Sequence, residues 1–187
     1  MSTPTVEVPG LVAGTWDIDP VHSEVGFSVR HLMVSKVKGT FKTFDGTITI
    51  GENPLDSKVE AHIDATSVDT RDENRDNHLR SADFFEVESH PQITFVSTSV
   101  RPAGGSDYEV TGDLTIHGVT RSVDLGLEFN GVSPDPWGGT RAGFSAGTEI
   151  SRADFGIEFN MPLDGGGVVV GDKIKITLEI EAVLQQN

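Results

Sequence analysis

Apolar residues stand at every second position along most of the chain, and this is the period of a β-strand. The segment 108–129 shows the pattern on both sides of a short polar interruption, which predicts a β-hairpin. The segment 172–182 is the most regular, with Ile174, Ile176 and Leu178 on the face opposite its charged residues. Further alternating segments span 25–31, 39–50, 59–63, 93–100, 142–150 and 155–161. We therefore predict about eight to ten strands, arranged as a barrel or a sandwich.

One segment, 70–85, departs from the strand period. Thr70 and Glu73 have the spacing of a capping box, so we predict a helix of about three turns that begins here. Pro91 prevents the helix from continuing into the next strand. The apolar positions of the helix recur every third residue and predict one buried stripe: Leu79, Ala82 and Phe85. Such a helix covers one end of the strands.

The length of the chain, 187 residues, is typical of one all-β domain. We predict a single domain over 14–184 and a flexible tail over 1–13. The first residues lack the basic and apolar regions of a signal peptide, so we expect a cytoplasmic protein. No stretch approaches the roughly 20 apolar residues that a membrane-spanning helix needs.

The composition argues against several classes of partner and chemistry. The formal net charge is −15, whereas nucleic acids and anionic membrane surfaces are bound through basic patches. We therefore expect no nucleic-acid partner. The chain has no cysteine, which excludes disulfides, thiolate metal sites and cysteine nucleophiles.

A GxSxG motif at 143–147 matches the nucleophile elbow of serine hydrolases. Its context does not fit that enzyme class. Ser145 lies inside an alternating strand, no helix pattern follows it, and no histidine occurs after His117. We therefore predict that Ser145 is not catalytic and that the protein is not an enzyme, because no set of residues supplies nucleophile, base and oxyanion donors together.

Histidines are the remaining candidates for chemistry or metal binding. None of them forms an HxH or HxxxH pair, so we predict no metal site, although strands bring distant residues together. His31 follows the apolar face of its strand, where it is either a hydrogen-bonded core residue or a residue that orients a ligand head group. The six histidines are His22, His31, His62, His78, His90 and His117.

Five segments in order along the chain resemble one family. They read WDIDPVHSEVGFSVRHLMVSKVKGTF, RDNHLRSADFFEVESHPQITF, TGDLTIHGVTR, SRADFGI and VGDKIKITLEIEA. Together they are similar to the YceI-like family of lipid-binding proteins. The resemblance runs from about Trp16 to Val183, which is nearly the whole chain.

The resemblance implies an all-β fold, an extended lipocalin-like antiparallel β-barrel of about eight strands with one short helix covering an end. It implies that the interior binds a long-chain polyisoprenoid or a similar apolar lipid, with no other cofactor. It also implies no catalytic activity and a homodimer. Many members of the family carry a secretion signal, and this sequence shows none.

Candidate ligand contacts follow from the inward positions on the matching strands. At about 0.8 kcal/mol for each buried methylene, even three isoprene units offset the cost of immobilising a chain. Gly112 occupies an inward position without a side chain, which either leaves space for a ligand or marks a bend. The predicted ligand-binding residues are Val25, Phe27, Val29, His31, Phe41, Ile63, Phe95, Val110, Leu114, Phe144, Ile176 and Leu178.

Two other functions remain open at this point. Small barrels are often filled by their own side chains, and such a barrel acts as a stress-response or protein-interaction module. A histidine-dependent hydrolase or metal enzyme is the third alternative. An internal cavity distinguishes the first function from the second, and the arrangement of the histidines tests the third.

Overall fold

A computed structural model describes residues 8–32, 34–161 and 170–186. The glycine-rich segment 164–167, which we predict as a hairpin loop, lies outside them. Within the described residues, one α-helix, α1, spans Glu73–Arg80, and short 3₁₀ turns span Pro54–Asp56, Ala65–Ser67 and Arg152–Phe155. The strands are β1 Gly14–Ile18, β2 Glu24–His31, β3 Ser35–Phe41, β4 Phe44–Ile50, β5 Lys58–Asp64, β6 Val68–Asp69, β7 Gln92–Gly104, β8 Asp107–Ile116, β9 Val119–Pro134, β10 Thr140–Ser151 and β11 Val170–Leu184.

Eight of these strands close into an antiparallel barrel in the order β1-β4-β5-β7-β8-β9-β10-β11, with β11 pairing back to β1. The closure is short and runs from Trp16 opposite Leu184 to Ile18 opposite Ala182. The first part of β11 instead pairs with β2, which continues the sheet through β3 and β6. The predicted fold, an extended antiparallel barrel of about eight strands with one helix, is confirmed.

The inward faces pack into two clusters at opposite ends of the strands. On β4, Phe44 belongs to one cluster and Ile48 to the other, and on β10 Ile150 and Phe144 are divided in the same way. The second cluster is centred on Trp16, which is 1% exposed. Side chains that follow α1 join the first cluster. One end of the barrel is therefore filled by the Trp16 cluster. The other end is covered by the helix segment, which comprises residues 70–90, that is, α1 and the turns on either side of it.

Helix α1 is shorter than predicted and has a different cap. It spans eight residues, about two turns, and the carboxylate of Asp72 accepts a hydrogen bond from Arg75 N at 3.0 Å. Thr70 does not cap the helix, because its hydroxyl donates to the buried Asp76 at 2.6 Å. Both Thr70 and Asp72 are residue types that cap helices. Because Thr70 is bonded to Asp76, Asp72 is the cap.

The predicted stripe of the helix is only partly correct. Leu79 and Phe85 pack against the core, but Ala82 is exposed and Phe84 is buried instead. The cause is that α1 ends at Arg80, so the residues after it follow turns and not the helical period. None of the helices that the structure describes has the length and apolar character needed to cross a bilayer.

Two strand predictions also need correction, and one strand was missed. The segment 39–50 is divided between β3 and β4, because a turn interrupts it at 42–43. Strand β1 falls just after the predicted tail and was not predicted from its five residues. The segment 155–161 forms no strand, although Phe155 and Ile157 are buried, because its first residue belongs to the 3₁₀ turn Arg152–Phe155 and Gly156 is left-handed.

Candidate binding site

The barrel surrounds an internal cavity of about 280 Å³. All eight barrel strands contribute to its walls, together with β2, β3 and the helix segment. The walls are almost entirely apolar, and the residues with polar side-chain groups among the described ones are Asp45, Ser57, Arg152 and, through its hydroxyl, Tyr108. The interior is therefore not packed solid by its own side chains.

Most of the predicted ligand contacts lie in the wall of this cavity. Whether they touch a ligand stays a prediction, but the structure brings them together around one space. His31 is the exception: it lies half-buried at the end of β2, opposite Val170, and is not part of the wall. The residues that line the cavity as predicted are Val25, Phe27, Val29, Phe41, Ile63, Phe95, Val110, Leu114, Phe144, Ile176 and Leu178.

Two groups stand out among the wall residues that sequence reasoning missed. One group lies on β9, where Val123, Leu125 and Leu127 alternate inward, a signal that the hairpin pattern already contained. The other group comes from the helix segment, where the rings of Phe85 and Phe41 meet edge to face at 5.7 Å. No strand period marks that second group, because it follows turns and not regular structure.

The helix segment is anchored to the barrel by a buried polar network. The carboxylate of Asp76 accepts from the backbone N–H and the hydroxyl of Thr70, at 2.8 and 2.6 Å. Arg75 donates from Nε to the same hydroxyl and from Nη2 to the Thr70 carbonyl, both at 2.8 Å. Arg80 adds bonds to the carbonyls of Thr66 and Val68. These bonds position the apolar residues that cover the cavity.

Arg152 is a buried cation in the cavity wall, and its role is to hold backbone. Its guanidinium donates to four carbonyl oxygens, which belong to Ile157, Phe159, Val170 and Gly171. Burial lowers the pKa of this guanidinium. Because four of its donors are already engaged, Arg152 joins the 157–159 segment to β11.

Arg141 links the loop after β1 to β10 and β11 near the barrel closure. Its Nη1 donates to Asp19 at 2.7 Å and to Glu181 at 2.8 Å, and its Nε donates to Asp135 at 3.0 Å. The bond from Arg141, with a second from His22, lowers the pKa of Asp19 to about 2. The same bond to Asp19, followed by that to Asp135, raises the pKa of Arg141.

Ser145 and Gly112, which the sequence analysis singled out, have structural roles and no catalytic geometry. Ser145 lies within β10, where its hydroxyl donates to Glu179 at 2.6 Å and accepts from Asn130 at 3.0 Å. Gly112 leaves no free space for a ligand: an added Cβ would meet the ring of Phe95 and lie 2.7 Å from the Val96 carbonyl. The glycine is needed because the Phe95 ring covers it.

A family model for the YceI-like domain matches residues 16–182. The chain belongs to the YceI-like family. UPF0312 protein SERP2314 of Staphylococcus epidermidis is 44% identical over 168 residues, which are 89% of this chain and 95% of that protein. Protein YceI of Escherichia coli O17:K52:H18 is 43% identical over 178 residues, 94% of this chain and 90% of that protein.

The fold also matches solved structures of bacterial proteins. A polyisoprenoid binding domain from Saccharophagus degradans, implicated in plant cell wall breakdown, has a TM-score of 0.71 to this chain. The match covers 93% of this YceI-like chain and 100% of that domain, at 18% sequence identity. At such an identity the likeness shows a shared fold.

Proposed function

We propose that this YceI-like protein binds one long apolar chain of the polyisoprenoid class in its internal cavity and carries or sequesters it. The observation that carries the proposal is the cavity itself, because its wall is apolar on every strand of the barrel. Apolar walls with few polar groups are typical of sites for hydrophobic ligands. The S. degradans domain with the same fold is described as polyisoprenoid binding, which favours the same ligand class here.

The volume of the cavity sets the length of chain that fits. Pockets of about 300–1,000 Å³ enclose drug-sized ligands, so a cavity of about 280 Å³, at the small end of this range, holds roughly twenty water-sized groups. A methylene is similar in size to a water molecule. We therefore expect a chain of about twenty carbons, roughly four isoprene units, to be enclosed, and any longer chain to project from the barrel.

The energetics support binding that depends on chain length and is otherwise unselective. Burying twenty carbons contributes roughly 16 kcal/mol at about 0.8 kcal/mol each. Association and ordering cost about 4–15 kcal/mol. The balance favours binding of chains near the full length and disfavours short ones. Because the described wall offers few polar groups, we expect head groups to contribute little to selectivity.

Binding without chemical change is part of the proposal. Ser145 is engaged by Asn130 and Glu179 in the middle of a strand, so it is not an activated nucleophile. In the wall, the cationic group of Arg152 is occupied by carbonyl oxygens. These contacts favour a carrier over a hydrolase.

The test is to recover the ligand. The purified protein is denatured in organic solvent and the extract is examined by mass spectrometry, and the delipidated, refolded protein is then offered geranylgeraniol, a twenty-carbon prenyl alcohol. We expect an apolar chain in the extract and uptake of about one geranylgeraniol per protein. An extract without lipid, together with no uptake of the added alcohol, would overturn the proposal.

A further inference from the structure

Three potential metal ligands converge outside the barrel cavity, where the helix segment meets the β8–β9 hairpin. Glu86 and His90 lie at the two ends of one turn, because His90 N donates to the Glu86 carbonyl at 2.9 Å. Glu86 has a positive φ of 48°, so this turn is separate from helix α1. His117 comes from the hairpin, and the candidate ligand atoms of all three residues lie within 4.8 Å of one another.

The orientation of the His117 ring is fixed by a hydrogen bond from the nitrogen that faces away from Glu86. Its Nδ1 lies 3.2 Å from the Phe155 carbonyl oxygen, which accepts hydrogen bonds only, so Nδ1 carries the hydrogen. In the neutral ring, the lone pair of Nε2 then points at the Glu86 carboxylate, 3.3 Å away. Two acceptors at this distance need a cation or a proton between them. A carbonyl behind the ring is the usual way in which a metal-binding histidine is oriented.

The spacing and chemistry of the three groups suit a tetrahedral metal ion. Ligand atoms about 2.0–2.1 Å from such an ion lie about 3.3 Å apart, which is the separation of His117 Nε2 and Glu86 Oε2. His90 completes the set, because its ring centroid lies 5.1 Å from that of His117. Two imidazoles and one carboxylate favour first-row transition cations over Mg²⁺ or Ca²⁺, which prefer oxygen ligands.

The backbone nearby makes room for the His90 ring. Gly118, next to His117, has φ +73°, and a Cβ at this position would lie 2.6 Å from Cε1 of His90. Only a residue without a side chain allows His90 to approach the hairpin so closely. The side chain of His117 is 18% exposed and that of Glu86 is 38% exposed, so ions in solution reach the cluster.

A second group of similar composition, Asp19 with His22 and Glu181, is not a comparable candidate for metal binding. Both of its carboxylates accept hydrogen bonds from Arg141 Nη1, at 2.7 and 2.8 Å. The guanidinium therefore already supplies the positive charge that a metal would bring. The described contacts of the Glu86 group include no such arginine or lysine bridge.

We propose that Glu86, His90 and His117 bind one divalent transition-metal ion, with Zn²⁺ as the best match, and that water completes the coordination. The ion would join the turn after α1, whose Phe84 and Phe85 line the cavity, to the hairpin between β8 and β9. Metal binding thereby fastens the segment that covers the barrel. The site is separate from the apolar wall and does not depend on the identity of the lipid.

Zinc titration of the delipidated, EDTA-treated full-length protein tests the proposal. Isothermal titration calorimetry is expected to show one Zn²⁺ per chain in the wild type and a loss of affinity of more than about 100-fold in His117→Ala and Glu86→Gln. His62→Ala and His78→Ala are matched controls, since each of these histidines forms an ion pair with a single carboxylate. Both controls are expected to bind Zn²⁺ as the wild type does.

A measurement on the wild type alone guards against misfolded variants. Nitrogen chemical shifts of the histidine rings, recorded with and without Zn²⁺, report which nitrogens coordinate the ion. We expect shifts at His90 and at Nε2 of His117. No saturable zinc site, or coordination shifts confined to His22, His62 or His78, would overturn the proposal.

Discussion

Substitution of Ala146 by phenylalanine tests whether the interior is open and whether its volume sets the preferred length of the bound chain. Ala146 lies in the cavity wall on β10, between Leu127 of β9 and Leu178 of β11. The change adds six carbons, which take up nearly a third of a cavity that holds roughly twenty water-sized groups. We expect the preferred chain to become shorter by about one isoprene unit.

The size of the effect follows from the carbons displaced. At about 0.8 kcal/mol each, six carbons correspond to an upper limit of about 5 kcal/mol, so the affinity for a twenty-carbon prenyl chain should fall by up to about 4,000-fold. A fifteen-carbon chain should bind nearly as well as before. In an open cavity the added ring has space, and the free energy of unfolding of the lipid-free variant should change little.

Binding is measured by titrating the delipidated protein with farnesol and geranylgeraniol, and stability is measured by urea unfolding. Thr177→Phe is the matched control, because Thr177 lies on the exposed face of β11, and its chain-length preference should equal that of the wild type. An unchanged preference in Ala146→Phe would refute the reasoning. So would a loss of 1–3 kcal/mol in unfolding free energy, which is the cost of overpacking a filled core.

The remaining predictions concern the structure around the cavity. Asp19 has a depressed pKa, so its ion pair stabilises the fold above about pH 4 and loses this effect as pH falls towards 2. Melting temperatures of wild type and Asp19→Asn should therefore differ most at neutral pH and converge near pH 2, and a constant difference would contradict this. Asp76→Ala leaves the buried Thr70 groups without their acceptor and should cost about 2–3 kcal/mol in urea unfolding, whereas a neutral effect would show that the network contributes nothing. Gly112→Ala forces a Cβ against the Phe95 ring and should cost about 1–3 kcal/mol, and unchanged stability would mean that the ring moves freely.

The barrel and most of its wall were predictable because strand alternation is a local signal. In β8 the inward residues Val110 and Leu114 are buried and the outward Asp113 is exposed, as the period requires. The same rule assigned Ile176 and Leu178 of β11 to the interior, and the structure places both in the wall. The closed eight-stranded barrel was predicted from the family resemblance, because alternation alone does not distinguish a barrel from a sandwich.

Features that depend on contacts between distant segments were not predictable in this way. Strand β1 has five residues, and its assignment depends on pairing with β4 and β11 at opposite ends of the chain. His31 has the parity of the inward face of β2. It nevertheless lies at the end of the strand, beyond the residues that line the cavity.

The cluster of Glu86, His90 and His117 was likewise not predictable from the sequence pattern. A search for histidine pairs within one element does not find it, since two histidines come from different elements and the carboxylate completes the set. The spacing of Glu86 and His90, four residues apart and joined by one backbone hydrogen bond, was the available signal. Only the approach of the hairpin to that turn reveals the third ligand.

The most direct test of the central claim is to locate a bound chain by NMR. In protein with labelled isoleucine, leucine and valine methyl groups, bound geranylgeraniol should give nuclear Overhauser effects to Val110, Leu114 and Leu178 of the cavity wall. The exposed Val21 and Val34 should give none. Effects confined to such surface residues would contradict the account, because the chain would then lie outside the barrel.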